Sequence, residues 1–84
     1  MSDVTQIVVI PFQQIKNSGV APIERERRII RTVEAAKRLA ANMAARFAGV
    51  AAFEFVSEKE TGELRSMKLL AEHGKIIDYS KEDM

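Results

Sequence analysis

The sequence predicts a small α+β domain in which one long helix packs on a mainly antiparallel sheet of three or four strands. Three observations support this class: a β-branched run near the N-terminus, a central segment with helical spacing of apolar residues, and two apolar segments joined by a glycine-containing turn. Their order is strand, helix, strand, strand, with an optional short fourth strand. The 84 residues are expected to form one domain, 1–84, because this length leaves no room for a second core.

The first strand is predicted at Ile7–Ile10, where four β-branched residues follow one another. Pro11 has no backbone N–H to donate, so the strand is expected to end there or to lie with that position facing outward. Residues 13–22 contain turn-forming residues without periodicity and are predicted to form a loop.

The central helix is predicted to extend from Ile23 to Phe47. Apolar residues recur in this segment at spacings of three and four, which places them on one helical face. These positions are Ile29, Val33, Ala36, Ala40, Met43 and Phe47. Gly49 follows closely and favours the left-handed conformation that ends many helices.

The segments after the helix are expected to form a hairpin around the turn Glu60–Gly62. A three-residue loop with Gly62 in the left-handed region makes Lys59 face Glu63. This register sets three pairs opposite each other: Phe55 with Met67, Glu54 with Lys68, and Phe53 with Leu69. A shift of one residue would oppose apolar to polar side chains, so the sequence favours this register.

The two faces of the hairpin are assigned by alternation along its strands. Four side chains are expected to cover the helix and, with Val9 and the helical apolar positions, to form the core: Phe53, Phe55, Met67 and Leu69. Val56 and Leu70 are expected to point away from the helix. If the first and second strands share a sheet, their connection through the helix should be a right-handed crossover. Lys75–Asp78 is the optional fourth strand, and residues 80–84 are expected to form a flexible tail.

Composition excludes several kinds of site and partner. The absence of cysteine removes disulfides, thiolate zinc sites and cysteine nucleophiles. The longest apolar run, 7–12, is far shorter than the roughly 20 residues that span a bilayer. With no leader pattern at the N-terminus, we expect a cytoplasmic protein with no membrane partner. The formal net charge of +1 excludes a global polycation.

The residues most often used in catalysis or metal binding do not form a recognisable constellation. His73, the only histidine, stands beside Gly74 in a predicted turn, and the carboxylates near it lack the spacing of a metal site. Glu58, Glu60 and Glu63 are typical of a solvated hairpin turn. We therefore expect a protein that is not an enzyme and that binds no cofactor or metal.

The only chemical bias is a group of arginines near the start of the predicted helix. Arg27, Arg31 and Arg38 follow one another along neighbouring helical positions, a pattern that would suit contact with the phosphates of a nucleic acid. Glu34 lies four residues before Arg38, the favourable arrangement for a surface ion pair. A solvated helix face is therefore the competing interpretation.

The leading functional hypothesis is a non-enzymatic assembly or protein-interaction module that acts as a homodimer. A small core, alanines on a second helix face and apolar residues on the outer sheet face favour it. The interface residues predicted from these features are Val56, Leu70, Ala41 and Ala45. The alternatives are nucleic-acid binding through the arginines and small-ligand binding in a pocket that the sequence does not reveal.

The strand, helix, strand, strand order resembles that of dodecins, small proteins whose three-stranded sheets wrap a helix and assemble around flavin. The resemblance implies that further copies of the chain complete the layer. Dodecins stack flavin on a tryptophan, and this chain contains none. The resemblance therefore implies no flavin-binding residue here.

Overall fold

The computed structural model describes residues 3–17 and 19–78. In this part of the chain, five strands form one antiparallel sheet, and one α-helix packs on the sheet. The elements in chain order are β1 Asp3–Gln14, β2 Val20–Pro22, a 3-10 helix Glu24–Glu26, β3 Arg28–Ile30, α1 Val33–Met43, β4 Gly49–Glu58 and β5 Leu64–Gly74. The α+β class is confirmed, whereas the number and order of strands differ from the prediction.

The centre of the sheet is formed by β1 and β4. On one side β4 pairs with β5, and on the other side β1 pairs with both β2 and β3. The two short strands use different parts of β1, since Pro22 lies opposite Phe12 and Ile29 lies opposite Val8. Because β1 and β4 are antiparallel, the expected right-handed crossover, which joins parallel strands, is wrong.

The helix is much shorter than the predicted 23–47 segment. It begins after Thr32, whose Oγ1 accepts a hydrogen bond of 3.1 Å from the backbone N–H of Ala35. Threonine is a preferred residue at this position because it satisfies an N–H that the first turn leaves free. Upstream, the β-branched pair Ile29 and Ile30 favours a strand, and pairing with β1 gives that segment backbone partners outside a helix.

Gly49 begins β4 instead of ending the helix, and it lies opposite Gly74 at the end of β5. The chain after β5 passes very close to it, because the Lys75 N–H donates to the Ala48 carbonyl at 3.1 Å. A Cβ added to Gly49 would collide with the carbonyl oxygen of Lys75. Glycine at this position therefore permits the close approach of two backbone segments.

The predicted hairpin register is confirmed through the middle of the strands. Phe55 lies opposite Met67, Glu54 opposite Lys68, and Phe53 opposite Leu69. Each pair shares one sheet face, as directly opposed residues in antiparallel strands do. Side-chain complementarity across the strands was therefore sufficient to predict the register.

The hairpin turn has one residue more than predicted. The Glu58 N–H donates to the Glu63 carbonyl at 2.8 Å, and the Gly62 N–H donates to the Glu58 carbonyl at 2.8 Å, which encloses a four-residue loop. Gly62 has the expected positive φ, 76°. Arg65 has no opposite residue on β4, and this β-bulge returns the strands to the predicted register.

The helix packs on the opposite sheet face from the one predicted. The core on the helix side is formed by Ile7, Val9, Ala36, Ala40, Met43, Val50 and Ala52. A second cluster lies on the other face, here called the helix-free face, and contains Val8, Ile10, Phe12, Ala51 and Phe53. Phe53 therefore lies away from the helix, and Leu70 packs on the helix side, the reverse of the expectation. Small residues such as Ala52 let the alanines of α1 approach closely.

The optional fourth strand is not formed. Lys75 lies in a bend, and residues 76–78 have no regular secondary structure. Ile76 packs against the cluster on the helix-free face. The predicted flexible tail, 80–84, lies outside the described residues.

Candidate association surface

The helix-free face carries aligned residues on four strands, because directly opposed residues share a face. Three rows cross the sheet between its middle and the hairpin turn. Their members are Ile29, Val8, Phe53 and Leu69; then Gln6, Phe55 and Met67; then Val4, Ser57 and Leu64. Eight of these ten side chains are apolar and the other two, Gln6 and Ser57, are uncharged, so we define the three rows as the apolar rows of the helix-free face.

One end of the helix-free face is covered by the chain itself. Val20 of β2 and Ile76 pack against the cluster there. Phe12 and Phe53 are fully buried as a result. This end therefore behaves as a second core, formed without the helix.

The other end, toward the hairpin turn, is open. Ile29 is 64% exposed, Leu64 is 52% exposed and Val4 is 39% exposed. Phe55 and Met67 between them are only half-buried. Ile29 was predicted to lie in the core, and it is exposed because its strand β3 places it on the face that no helix covers.

The helix-side face carries charged side chains where α1 does not cover it. Along β4 the helix-side core includes Val50 and Ala52 but not the next residue on that side, Glu54. Glu54 lies opposite Lys68, and the Nε of Arg65 lies 3.3 Å from a carboxylate oxygen of Asp3. Charged groups thus lie on the uncovered helix side together with Val56, whereas the apolar rows on the opposite side of the same strands carry no charge.

The outer edge of β5 is a second surface to which another chain can add. A long unpaired strand edge is a template for pairing with another strand. This edge is interrupted, since Arg65 and Leu70 have no opposite residue on β4 and form bulges. The exposed Lys68 lies between them, and a lysine in mid-strand disfavours strand addition. The helix-free face is therefore a better candidate than the edge.

The residues predicted to form the interface are divided between two other places. Leu70 packs against the helix-side core, and Val56 is half-buried on that same side of β4. Ala41 is exposed on α1, and Ala45 is exposed in the turn that follows α1. The predicted set does not include Ile29, which only the pairing of β3 with β1 brings to the helix-free face.

The predicted arginine stripe along one helix is wrong. Arg27 follows the 3-10 helix, Arg31 lies in the bend before α1, and Arg38 is exposed on α1 itself. Arg27 has an extended backbone, and an Nη of its guanidinium lies 3.7 Å from a carboxylate oxygen of Glu24. Because side chains alternate along extended chain, Arg27 falls on the same side as Ile29, the helix-free side.

His73 belongs to β5, opposite Val50, and does not lie in the predicted turn. Within residues 3–17 and 19–78, no group of three or more His, Cys, Asp or Glu side chains is placed to hold a metal ion. No helix in that part of the chain combines the length and apolarity needed to cross a bilayer.

Comparison of the chain with protein-family models, with curated proteins and with solved structures found no match.

Proposed function

We propose that the protein is a non-enzymatic assembly module that forms a homodimer through the open end of its helix-free face. The observation that carries this proposal is the exposure of Ile29, at 64%, in the same row as the buried Val8 and Phe53. Full burial of an isoleucine side chain stabilises by about 1.5–3 kcal/mol, so covering the exposed part of Ile29 contributes about 1–2 kcal/mol.

A second copy of the chain is the occupant that this surface fits best. None of the residues in the apolar rows carries a formal charge. Two such surfaces do not repel each other, whereas a partner recognised by charge would find no complement in the rows. A two-fold dimer also uses one patch twice, so one exposed apolar surface is sufficient for both subunits.

The size of the patch sets the expected strength of the dimer. Four strands at about 4.8 Å and five residues at about 3.4 Å give a flat footprint of about 19 Å by about 17 Å. Side-chain relief raises the accessible area above this footprint, so two copies would bury on the order of 1,000 Å², near the lower limit for a specific interface. We therefore expect a dimer of modest affinity whose population depends on protein concentration.

The test compares charge substitutions on two exposed surfaces by gel filtration with light scattering. Ile29→Glu and Leu64→Glu place a carboxylate in the apolar rows, and both residues are more than half exposed, so folding should be retained. Ala41→Glu places the same charge on the exposed surface of α1 and serves as the matched control. We expect monomers from the first two variants and a dimer from the control.

The opposite result would be equally clear. Dissociation by Ala41→Glu, with Ile29→Glu and Leu64→Glu still dimeric, would move the interface to α1 and refute the proposed surface. Circular dichroism melts of each variant separate loss of association from loss of folding.

Single-stranded nucleic-acid binding is the second candidate, and one observation favours it. Phe55 is half-buried on the helix-free face and stacks on Phe53, with ring centroids 6.1 Å apart. Aromatic side chains on open sheets serve as platforms for bases, and Arg27 and Arg31, which flank β3, would suit phosphates. The candidate is weaker because Phe53 is fully buried and Ile29 and Leu64 offer no stacking surface.

Fluorescence anisotropy with labelled single-stranded oligonucleotides at low salt tests this second candidate. Binding that falls steeply with salt and is lost in Phe55→Ala would support it. A lack of binding at low salt would remove it and leave the homodimer as the proposed function.

A further inference from the structure

Two oppositely charged surfaces lie at the margins of the helix-free face. The first, here called the arginine connector, is residues 24–31, whose four arginines and two glutamates give a net charge of +2. The second is the hairpin turn, residues 58–63, whose three glutamates and one lysine give a net charge of −2. The two segments are therefore equal and opposite in charge.

The charges of the hairpin turn that face outward are well defined. Glu58 is turned inward, where its Oε1 accepts hydrogen bonds from the N–H groups of Glu60 at 2.8 Å and Thr61 at 3.0 Å. Glu60 and Glu63 are exposed, as is Lys59. The ordered turn thus presents two glutamates and one lysine to solvent, a net charge of −1.

The arginine connector keeps most of its charge exposed. Arg27 lies 3.7 Å from Glu24, and both side chains remain largely accessible, at 48% and 70%. Arg25, Arg28 and Arg31 are exposed as well. Its excess positive charge is therefore available to a partner.

These two surfaces are too far apart to neutralise each other within one chain. The connector borders β1 near Val8. The hairpin turn begins at Glu58, the last residue of β4, which lies opposite Asp3 at the start of β1. Two to three strand spacings across the sheet and about five residues along it separate them by about 20 Å. The screening length at physiological ionic strength is about 8 Å.

We infer that in the dimer each hairpin turn lies against the arginine connector of the second copy, an orientation that rests on the proposed homodimer. The two surfaces occupy diagonal corners of the helix-free face. A two-fold axis that lies in the plane of the interface, along the other diagonal, places each corner of one copy over the opposite corner of the second copy. Because this axis runs at about 45° to the strands, the strands of the two copies cross at a steep angle, as in orthogonal sheet packing. Both turns and both connectors are then paired across one interface.

The apolar rows and the charged corners contribute differently to this dimer. Burial of the rows provides most of the stabilisation, and the corners set the orientation and speed of association. Because the corner charges remain near solvent, their contribution falls as salt is added. The dimer should therefore associate more tightly at low ionic strength.

A charge-reversal cycle tests the orientation, with the dissociation constant of the dimer measured by dilution calorimetry. One variant is Glu60→Lys with Glu63→Lys, the second is Arg27→Glu with Arg31→Glu, and the third combines all four substitutions. The control, Lys37→Glu with Arg38→Glu, makes the same change in net charge as the arginine variant on the exposed surface of α1. All six residues are exposed, so each variant should fold.

We expect each two-residue reversal at the corners to weaken the dimer by about tenfold or more, because it places like charges together. The combined variant should return to within a few-fold of the wild-type constant, and the control should match the wild type. A wild-type chain that never dimerises would refute the proposed function itself. A wild-type dimer that is insensitive to the reversals, or that the combined variant fails to restore, would overturn only the orientation.

Discussion

At the scale of single residues, Gly49 is the position where the fold leaves least room. The chain after β5 crosses it so closely that a methyl group would meet the backbone carbonyl of Lys75. That backbone is anchored by its hydrogen bond to Ala48, so it is not free to move aside. This close approach arises where the start of β4 contacts the segment after β5. A glycine in the sequence does not by itself indicate such a contact.

Gly49→Ala is therefore expected to lower the free energy of unfolding by about 3 kcal/mol, the upper end of the range for overpacking in a rigid site. Gly19→Ala is the matched control, because Gly19 has a φ of 87° but nothing within 4 Å of an added Cβ. Its cost should be limited to about 1–2 kcal/mol for the left-handed conformation. Urea denaturation of both variants measures the difference, and equal losses would contradict the close approach at Gly49.

At the scale of elements, the sequence predicted strand pairing best where the paired strands are close in sequence, as in the β4–β5 hairpin. The pairing of Phe55 with Met67 followed from complementarity across one hairpin, and the structure has it. The start of the helix was predicted wrongly because the pairing of β3 with β1 joins residues distant in sequence. The helical spacing of apolar residues gives no information about β1 as a competing partner for this segment.

The sheet face taken by the helix was also beyond the sequence pattern. Residues 50–53 of β4 are all apolar, so alternation identified two possible core faces and did not choose between them. The choice depends on close packing of Ala52 against the alanines of α1, a property of the assembled layers. The four hairpin side chains predicted to share a face do share one, but it is the face that the helix does not cover.

The observed start of α1 gives an element-scale prediction. Thr32→Ala removes the side-chain oxygen that accepts from Ala35, and it should lower the free energy of unfolding by about 1 kcal/mol. Thr32→Ser retains the oxygen and should lose only a few tenths of that amount. If the helix began at residue 23, position 32 would lie inside it, and alanine there would be at least as stable as serine in a denaturant titration.

At the scale of the whole molecule, the sheet is covered differently on its two faces. The helix covers one face except near the hairpin turn, where charged side chains lie, while Val20 and Ile76 cover the other face only at one end. A chain of 84 residues buries a limited fraction of its surface, so self-association is an effective way to cover the remainder. The uncharged apolar rows and the two charged corners together specify how a second copy would fit.

The most direct test of whether a second copy covers the helix-free face is sedimentation equilibrium of the wild-type chain and of Ile29→Glu, from low micromolar to near-millimolar concentration. The wild type should shift with concentration from the monomer mass of 9.4 kDa toward twice that value, while Ile29→Glu should remain at 9.4 kDa. A wild-type chain that stays monomeric throughout, or a variant that associates as strongly as the wild type, would contradict it.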